Sequence, residues 1–243
     1  VIGTFRLWNQ CNPLKSRCQA FGKLENAGDR VALILFPSLE FYVSLFGILK
    51  RGAVGIPCLP LFGPEAIEYR LTRAEAKMAI VTEEKKNLID KNMVPHVISD
   101  KELLKLIQNE SASYKINTSA KTLAMIQFSS GTTGAPKPVY YNHEAAALTT
   151  VNARLCVNLR EDDRYFCTSS PAWGCGIWYG SVAPLTFGTA IGAYSGKFDP
   201  ETLLKALEHF EITNMSAAPL VYRMLRNCGK IDTFSTIGSF LPI

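Results

Sequence analysis

Short β-branched runs that alternate with longer amphipathic stretches constrain this chain more than any other feature. Arg30-Val-Ala-Leu-Ile-Leu-Phe36 is a near-continuous apolar run, the pattern of a strand buried inside a sheet, and Leu39–Lys50 behind it has helical spacing. Gly52–Ile56 reads as the next strand, and Pro64–Glu75 as a helix with proline in its first turn. Strand Met78–Thr82, helix Glu84–Lys91, strand His96–Ser99 and helix Asp100–Gln108 continue the rhythm. Parallel neighbours need long crossovers, usually helical, so the pattern predicts an α/β fold of layered, mainly parallel sheets flanked by helices.

Asn109–Lys121 (NESASYKINTSAK) is polar and poor in apolar residues, and is expected to connect two subdomains at about 1–115 and 120–243. The alternation then resumes with strand Thr122–Phe128, a glycine loop, helix Glu144–Asn158 and strand Tyr165–Thr168. Strand Thr189–Ala193, helix Pro200–Phe210, strand Ile212–Met215 and helix Pro219–Asn227 follow.

Hydrophobic residues make up 47% of the 243 and charged residues 19%, enough to fill a sizeable core and too apolar for a disordered chain. The net charge of +5 is scattered, which argues against a nucleic-acid footprint but leaves cations for a phosphorylated small molecule. None of the seven cysteines lies two residues from another, and there are only three histidines. A protein-built metal cage is therefore not expected, and reduced, mostly buried thiols in a cytoplasmic protein are. Arg6 and Asn9 interrupt the first apolar stretch, so no signal peptide is expected. Tyr165–Gly196 carries no Lys, Arg, Asp, Glu or His, longer than the roughly 20 residues a membrane helix needs. Its glycines, with Pro171 and Pro184, favour a buried pocket wall over a transmembrane segment.

The sharpest chemical signal is Phe128-Ser-Ser-Gly-Thr-Thr-Gly-Ala-Pro-Lys137. Gly131 and Gly134 let backbone amides turn inward on a phosphate, Ser129, Ser130, Thr132 and Thr133 supply hydroxyls, and Lys137 brings a mobile positive charge. It is not a Walker A loop, whose lysine directly follows the second glycine; here Ala135 and Pro136 intervene. The segment closely resembles the signature loop of the adenylate-forming superfamily: acyl-CoA synthetases, peptide-synthetase adenylation domains and luciferases. Ser129 stands where that pattern usually has Thr, and Pro138 where it has Gly. Gly28–Leu33, Leu39–Phe41 and Gly47–Val54 are similar to the opening strand and helix of such enzymes, and Leu61–Ala66 to a stretch in acyl-CoA synthetases for short, medium or aromatic acids.

Ser170-Pro-Ala-Trp-Gly-Cys-Gly-Ile-Trp-Tyr-Gly180 is similar to the segment that lines the acyl pocket in acetyl-CoA synthetase-like enzymes. The resemblance implies that Trp173 forms a pocket wall, that Gly174 and Cys175 contact the acid, and that Gly176 permits close approach. Aromatic area for apolar binding beside glycines that leave room is consistent with this, although tight packing of aromatics on glycines would read the same way. Thr213–Arg223 resembles the strand-to-helix turn before the nucleotide pocket, with Tyr222 and Arg223 as scaffold, and His143 is read as structural.

The resemblance implies ATP-dependent activation of a small carboxylic acid and transfer of the acyl group to CoA, by an acid–thiol ligase. Lys137 and Thr132 are the expected catalytic groups. Ser129, Ser130, Gly131, Thr133 and Gly134 join them in holding ATP, and Thr132 is a candidate ligand for Mg²⁺. An acid–AMP ligase or a carrier-protein adenylation domain fits the same residues, as does an inactive binding module from another functional class. Phe234–Ile243 looks like the strand that leads into the family's adenine-side Gly-Glu-Pro turn. That turn, the aromatic-Gly-x-Thr-Glu motif, the ribose-binding Asp, the hinge and the C-terminal domain with its catalytic Lys are not in the chain. The 243 residues are thus expected to be a partial N-terminal domain of an acyl-CoA synthetase-like fold. A sheet interrupted this way would expose apolar surface, which makes a homo-oligomer an expected partner.

Overall fold

The computed structural model describes residues 2–5, 27–106, 118–129, 134–194 and 198–230. The chain divides into two compact units, residues 10–145 and residues 1–9 with 146–243.

Residues 10–145 hold a six-stranded sheet in the order β5-β4-β2-β3-β6-β7. Its strands are β2 (Arg30–Ile34), β3 (Val54–Pro57), β4 (Met78–Val81), β5 (His96–Ser99), β6 (Leu123–Ser129) and β7 (Lys137–Asn142). All neighbours are parallel except β6 and β7. Val31, Ala32, Leu33 and Ile34 are fully buried at 0% exposure, as the unbroken apolar run of a central parallel strand requires. Since β6 and β7 complete the same sheet as β2, the polar stretch 109–121 has one sheet on both of its sides.

Helix α1 (Leu39–Arg51) buries Phe41, Val43, Leu45 and Ile48. Ser38 caps its start by accepting the Phe41 amide at 3.3 Å, and Gly52 ends it in the left-handed region with φ 79°. Helix α2 (Pro64–Arg73) starts on proline and buries Ile67 and Leu71 against the sheet. The helix expected at Glu84–Lys91 is instead a 3-10 turn at Glu83–Leu88, with none of its residues buried. Glu83-Glu-Lys-Lys86 has no apolar face to pack, and Ile89 is already extended. Helix α3 (Asp100–Leu106) opens with a reciprocal cap: Glu102 N–H donates to Ser99 Oγ at 3.2 Å, and Ser99 N–H to Glu102 Oε2 at 3.0 Å.

Helix α4 (Glu144–Cys156) leads from β7 into the second unit. The four-stranded sheet there runs β1-β9-β8-β10, from β1 (Ile2–Phe5), β8 (Arg164–Cys167), β9 (Ala190–Tyr194) and β10 (Asn214–Ser216). Strand β1, not anticipated from the sequence, pairs antiparallel with β9; the other pairs are parallel. Helices α5 (Ala183–Phe187), α6 (Pro200–His209) and α7 (Pro219–Asn227) complete the unit, with Leu203, Leu204, Leu207 and Leu225 packed around Phe166 and Met215. Phe234–Ile243, read as a strand, lies outside the described residues. The uncharged stretch forms a π-helical segment, Cys175–Val182, which runs into α5 and stops at Gly188 with φ 92°. Among the described residues no helix is long and apolar enough to cross a membrane.

Candidate active site

Strand β6 runs parallel to β3 and delivers Ser129 to the carboxyl edge of the parallel strands, the edge at which open α/β sheets bind ligands. The chain returns as β7, with Ser129 opposite Lys137 and Phe128 opposite Pro138. Ser129 and Lys137 are therefore held side by side, and the Ser129 hydroxyl donates to the Lys137 carbonyl at 3.4 Å. Ser129, Gly134 and Lys137 are exposed. Ser130, Gly131, Thr132 and Thr133 lie outside the described residues. Pro138 fits because β7 is an edge strand, where a missing N–H costs no interior ladder bond.

Helix α2 braces this hairpin through residues that sequence reasoning passed over. The Tyr69 hydroxyl donates to the Pro136 carbonyl at 3.0 Å, and its ring meets Phe128 edge-on with centroids 6.3 Å apart. Arg70 lays its guanidinium over Phe62, 4.1 Å from the centroid, and within 5.6 Å of the Phe128 ring. On sequence both residues are ordinary positions of an amphipathic helix, and only the folded sheet brings them to Phe128 and Pro136. At the end of β3, burial pushes the Cys58 thiol up to about 12, against a smaller opposing effect of Arg70, so it stays protonated. Burial lowers the pKa of His143, which favours the neutral imidazole.

In the second unit Trp173 and Gly174 are exposed at the head of the π-helical segment, Cys175 is half-buried and Gly176 is buried. A side chain on Gly174 would meet nothing within 4 Å. At Gly176 a Cβ would fall inside the Ser170 carbonyl, so the space left by its hydrogen is filled by backbone and not left open. The Ser181 hydroxyl donates to the Gly176 carbonyl at 2.9 Å inside the π-helical turn. Tyr222, read as scaffold, donates its hydroxyl to the Met215 carbonyl at 3.0 Å. The thiols of Cys167 and Cys175 are hydrogen-bonded to each other.

A family model described as AMP-binding enzyme matches residues 14–240. The chain belongs to the AMP-binding enzyme family. This family member is similar to acetyl-coenzyme A synthetase of Bacillus subtilis (strain 168), 30% identical over 223 residues, which cover 86% of this chain and 39% of the relative. It is also similar to the mitochondrial acyl-coenzyme A synthetase ACSM3 of Rattus norvegicus, 31% identical over 216 residues, covering 82% of this chain and 37% of that protein. The chain thus spans about two-fifths of the length of these curated relatives. The N-terminal domain of FACL13 from Mycobacterium tuberculosis, solved with an inhibitor bound, has the same fold, with a TM-score of 0.87 at 20% identity. That match covers 96% of this chain and 62% of FACL13's domain. The anthranilate CoA ligase AuaEII, solved with anthranoyl-AMP, gives a TM-score of 0.84 at 24% identity, over 93% of this chain and 46% of its own. These likenesses support the mixed α/β fold, built on a mostly parallel sheet, of acyl-CoA synthetase N-terminal domains.

Proposed function

We propose that the protein activates a carboxylic acid with ATP and passes the acyl group to CoA. In the first half-reaction a carboxylate oxygen attacks the α-phosphorus, the bond to the bridging oxygen breaks, and acyl-adenylate and pyrophosphate form. In the second, the CoA sulfur attacks the acyl carbon and AMP leaves. A carboxylate needs no base to become a nucleophile, so the protein's main task in the first step is to stabilise charge on the leaving pyrophosphate.

The observation that carries this reading is the β6–β7 hairpin, which pins Ser129 against Lys137 at the carboxyl edge of the sheet in a chain of this family. Ser129, Ser130, Thr132 and Thr133, with the amides freed by Gly131 and Gly134, donate to the β- and γ-phosphates, and Lys137 neutralises them. Mg²⁺ would be held chiefly by phosphate oxygens, with the Thr132 hydroxyl as a protein ligand, and would share the charge of the triphosphate. Trp173, Gly174 and Cys175 shape the acid site, and Gly176 sets the backbone turn on which they sit.

Lys137→Ala in the full-length protein should lower acid-dependent ATP–pyrophosphate exchange about 100-fold, the usual effect of removing one charge-stabilising donor. Unchanged exchange would remove Lys137 from the phosphate site. Gly174→Trp should shorten the longest acid accepted, and an unaltered acid profile would take Gly174 out of the pocket. Assays with and without CoA give the acceptor, since adenylate formation with no thioester product would point to an acid–AMP ligase.

A further inference from the structure

We infer that Cys167 and Cys175 form a redox-active dithiol, a modification site at which a hydroperoxide converts two thiols into an intramolecular disulfide. The two residues come from different elements: Cys167 ends β8, and Cys175 opens the π-helical segment. Their thiols are already hydrogen-bonded, and Ser169 donates to the Cys175 sulfur from the intervening turn. The packing brings both residues to one place: a Cβ on Gly180 would lie 2.8 Å from Cys167 Cβ, 3.0 Å from its Sγ and 3.8 Å from the Cys175 carbonyl oxygen, so Cys167 sits against the turn that Cys175 opens. Neither cysteine is fully buried, so a small oxidant can reach the pair.

The electrostatics divide the roles. The bond from Cys167 holds the Cys175 thiol well below its ordinary value, and burial opposes this less strongly. Giving that bond, together with burial, pushes the Cys167 thiol up, so it keeps its proton. Tyr165, which interacts with both thiols, and Tyr222, which interacts with Cys167, are both raised by burial and stay neutral phenols. The Cys175 thiolate attacks one peroxide oxygen, the O–O bond breaks, and hydroxide leaves, giving the Cys175 sulfenic acid. The Cys167 sulfur then attacks the Cys175 sulfur, the S–O bond breaks, and water carries off the hydroxyl with the Cys167 proton. Peroxide gains the two electrons that the dithiol loses. The new bond closes a ring over residues 168–174, which include Trp173 and Gly174. Loss of acid activation on oxidation is a consequence that rests on the acid-site reading above.

The experiment is to titrate the protein with hydrogen peroxide at pH 7 and map all seven cysteines by mass spectrometry with and without dithiothreitol. Expected is a Cys167–Cys175 cross-linked peptide, reversed by dithiothreitol and formed about tenfold faster than the exposed Cys156 is oxidised. In Cys167→Ser, Cys175 should stop at the sulfenic acid and be captured by dimedone. Wild-type protein in which Cys175 oxidises without the cross-link, or in which Cys156 reacts first, overturns the assignment. The wild-type mapping needs no variant, so a Cys167→Ser chain that failed to fold would not blur the answer. If the cross-link forms and acid-dependent exchange in the full-length protein is undiminished, the dithiol stands and the acid-contact role of Cys175 falls.

Discussion

The two sheets use glycine in opposite ways. In the six-stranded sheet, Gly55 of the buried strand β3 has room to spare: a Cβ there would lie 3.9 Å from Ala124 O, Ile48 Cγ2 and Leu45 Cδ1, an ordinary contact. In the four-stranded unit, Gly176 and Gly180 sit where another chain segment already fills the space, and a Cβ on Gly192 would lie 2.8 Å from the Phe166 ring. Large aliphatic side chains fill the first core, while backbone closing on backbone shapes the π-helical segment. The second arrangement specifies geometry tightly and tolerates change poorly.

The largest expected effect tests that difference directly. Gly176→Ala should cost about 3 kcal/mol or more, because the Ser170 carbonyl is backbone and cannot swing aside. Gly192→Ala should cost about 1–2 kcal/mol, since an aromatic ring can tilt. Gly55→Ala should stay within about 1 kcal/mol of wild type and could gain from a stiffer unfolded chain. Urea unfolding midpoints order the three. A Gly176→Ala chain as stable as Gly55→Ala would break the comparison.

A smaller effect sharpens the same contrast at the hairpin. Tyr69→Phe keeps the ring against Phe128 and removes only the hydroxyl bond to the Pro136 carbonyl. The loss should be about 1 kcal/mol, because the carbonyl is near solvent and water can replace the donor. Amide exchange along β7 should rise while α1 stays as protected as before. Equal loosening of α1 would show that Tyr69 supports the whole unit and not the loop exit.

What the sequence could disclose follows from the same physics. The strands from Arg30, Met78 and His96, and helix α7, were legible because their apolar pattern is local. The spacing of glycines and hydroxyl residues in Ser129–Lys137 is legible for the same reason, as one short segment of sequence carries the whole signal. Strand β7 was not, although Val139-Tyr-Tyr141 is β-prone, because a loop motif and a following helix seemed to account for the chain there. The run Glu84–Lys91 misled because its charge pattern suits a helix and only the absence of a buried face rules one out. The bracing by Tyr69 and Arg70 and the Cys167–Cys175 pair depend on contacts between separate elements, to which no local pattern points.

The smallest expected effect sets the two long capped helices against each other as pH falls. The cap on α1 is the hydroxyl of Ser38, which does not titrate, whereas α6 is capped by Asp199, which accepts the Thr202 amide at 2.7 Å. Hydrogen bonds from Thr202 hold Asp199 below its ordinary value. Ion pairs with Lys230 and then Lys205 hold Glu201 down to about 2. For a depressed carboxylate the stabilisation is complete above the unfolded value, 4.5 for Glu201, and is lost as pH falls towards about 2. Across that window the Thr202 amide should lose exchange protection while the Phe41 amide at the Ser38 cap keeps it. The start of α3, which uses Glu102 drawn down by Lys86, should follow α6 and not α1. Asp199→Asn preserves a capping oxygen and removes one titrating charge, so it should flatten the Thr202 response without abolishing the helix. A Thr202 amide equally protected at pH 2 and pH 5 in the wild type would show that α6 is held by the packing of Leu203, Leu204 and Leu207, with its charged cap contributing little.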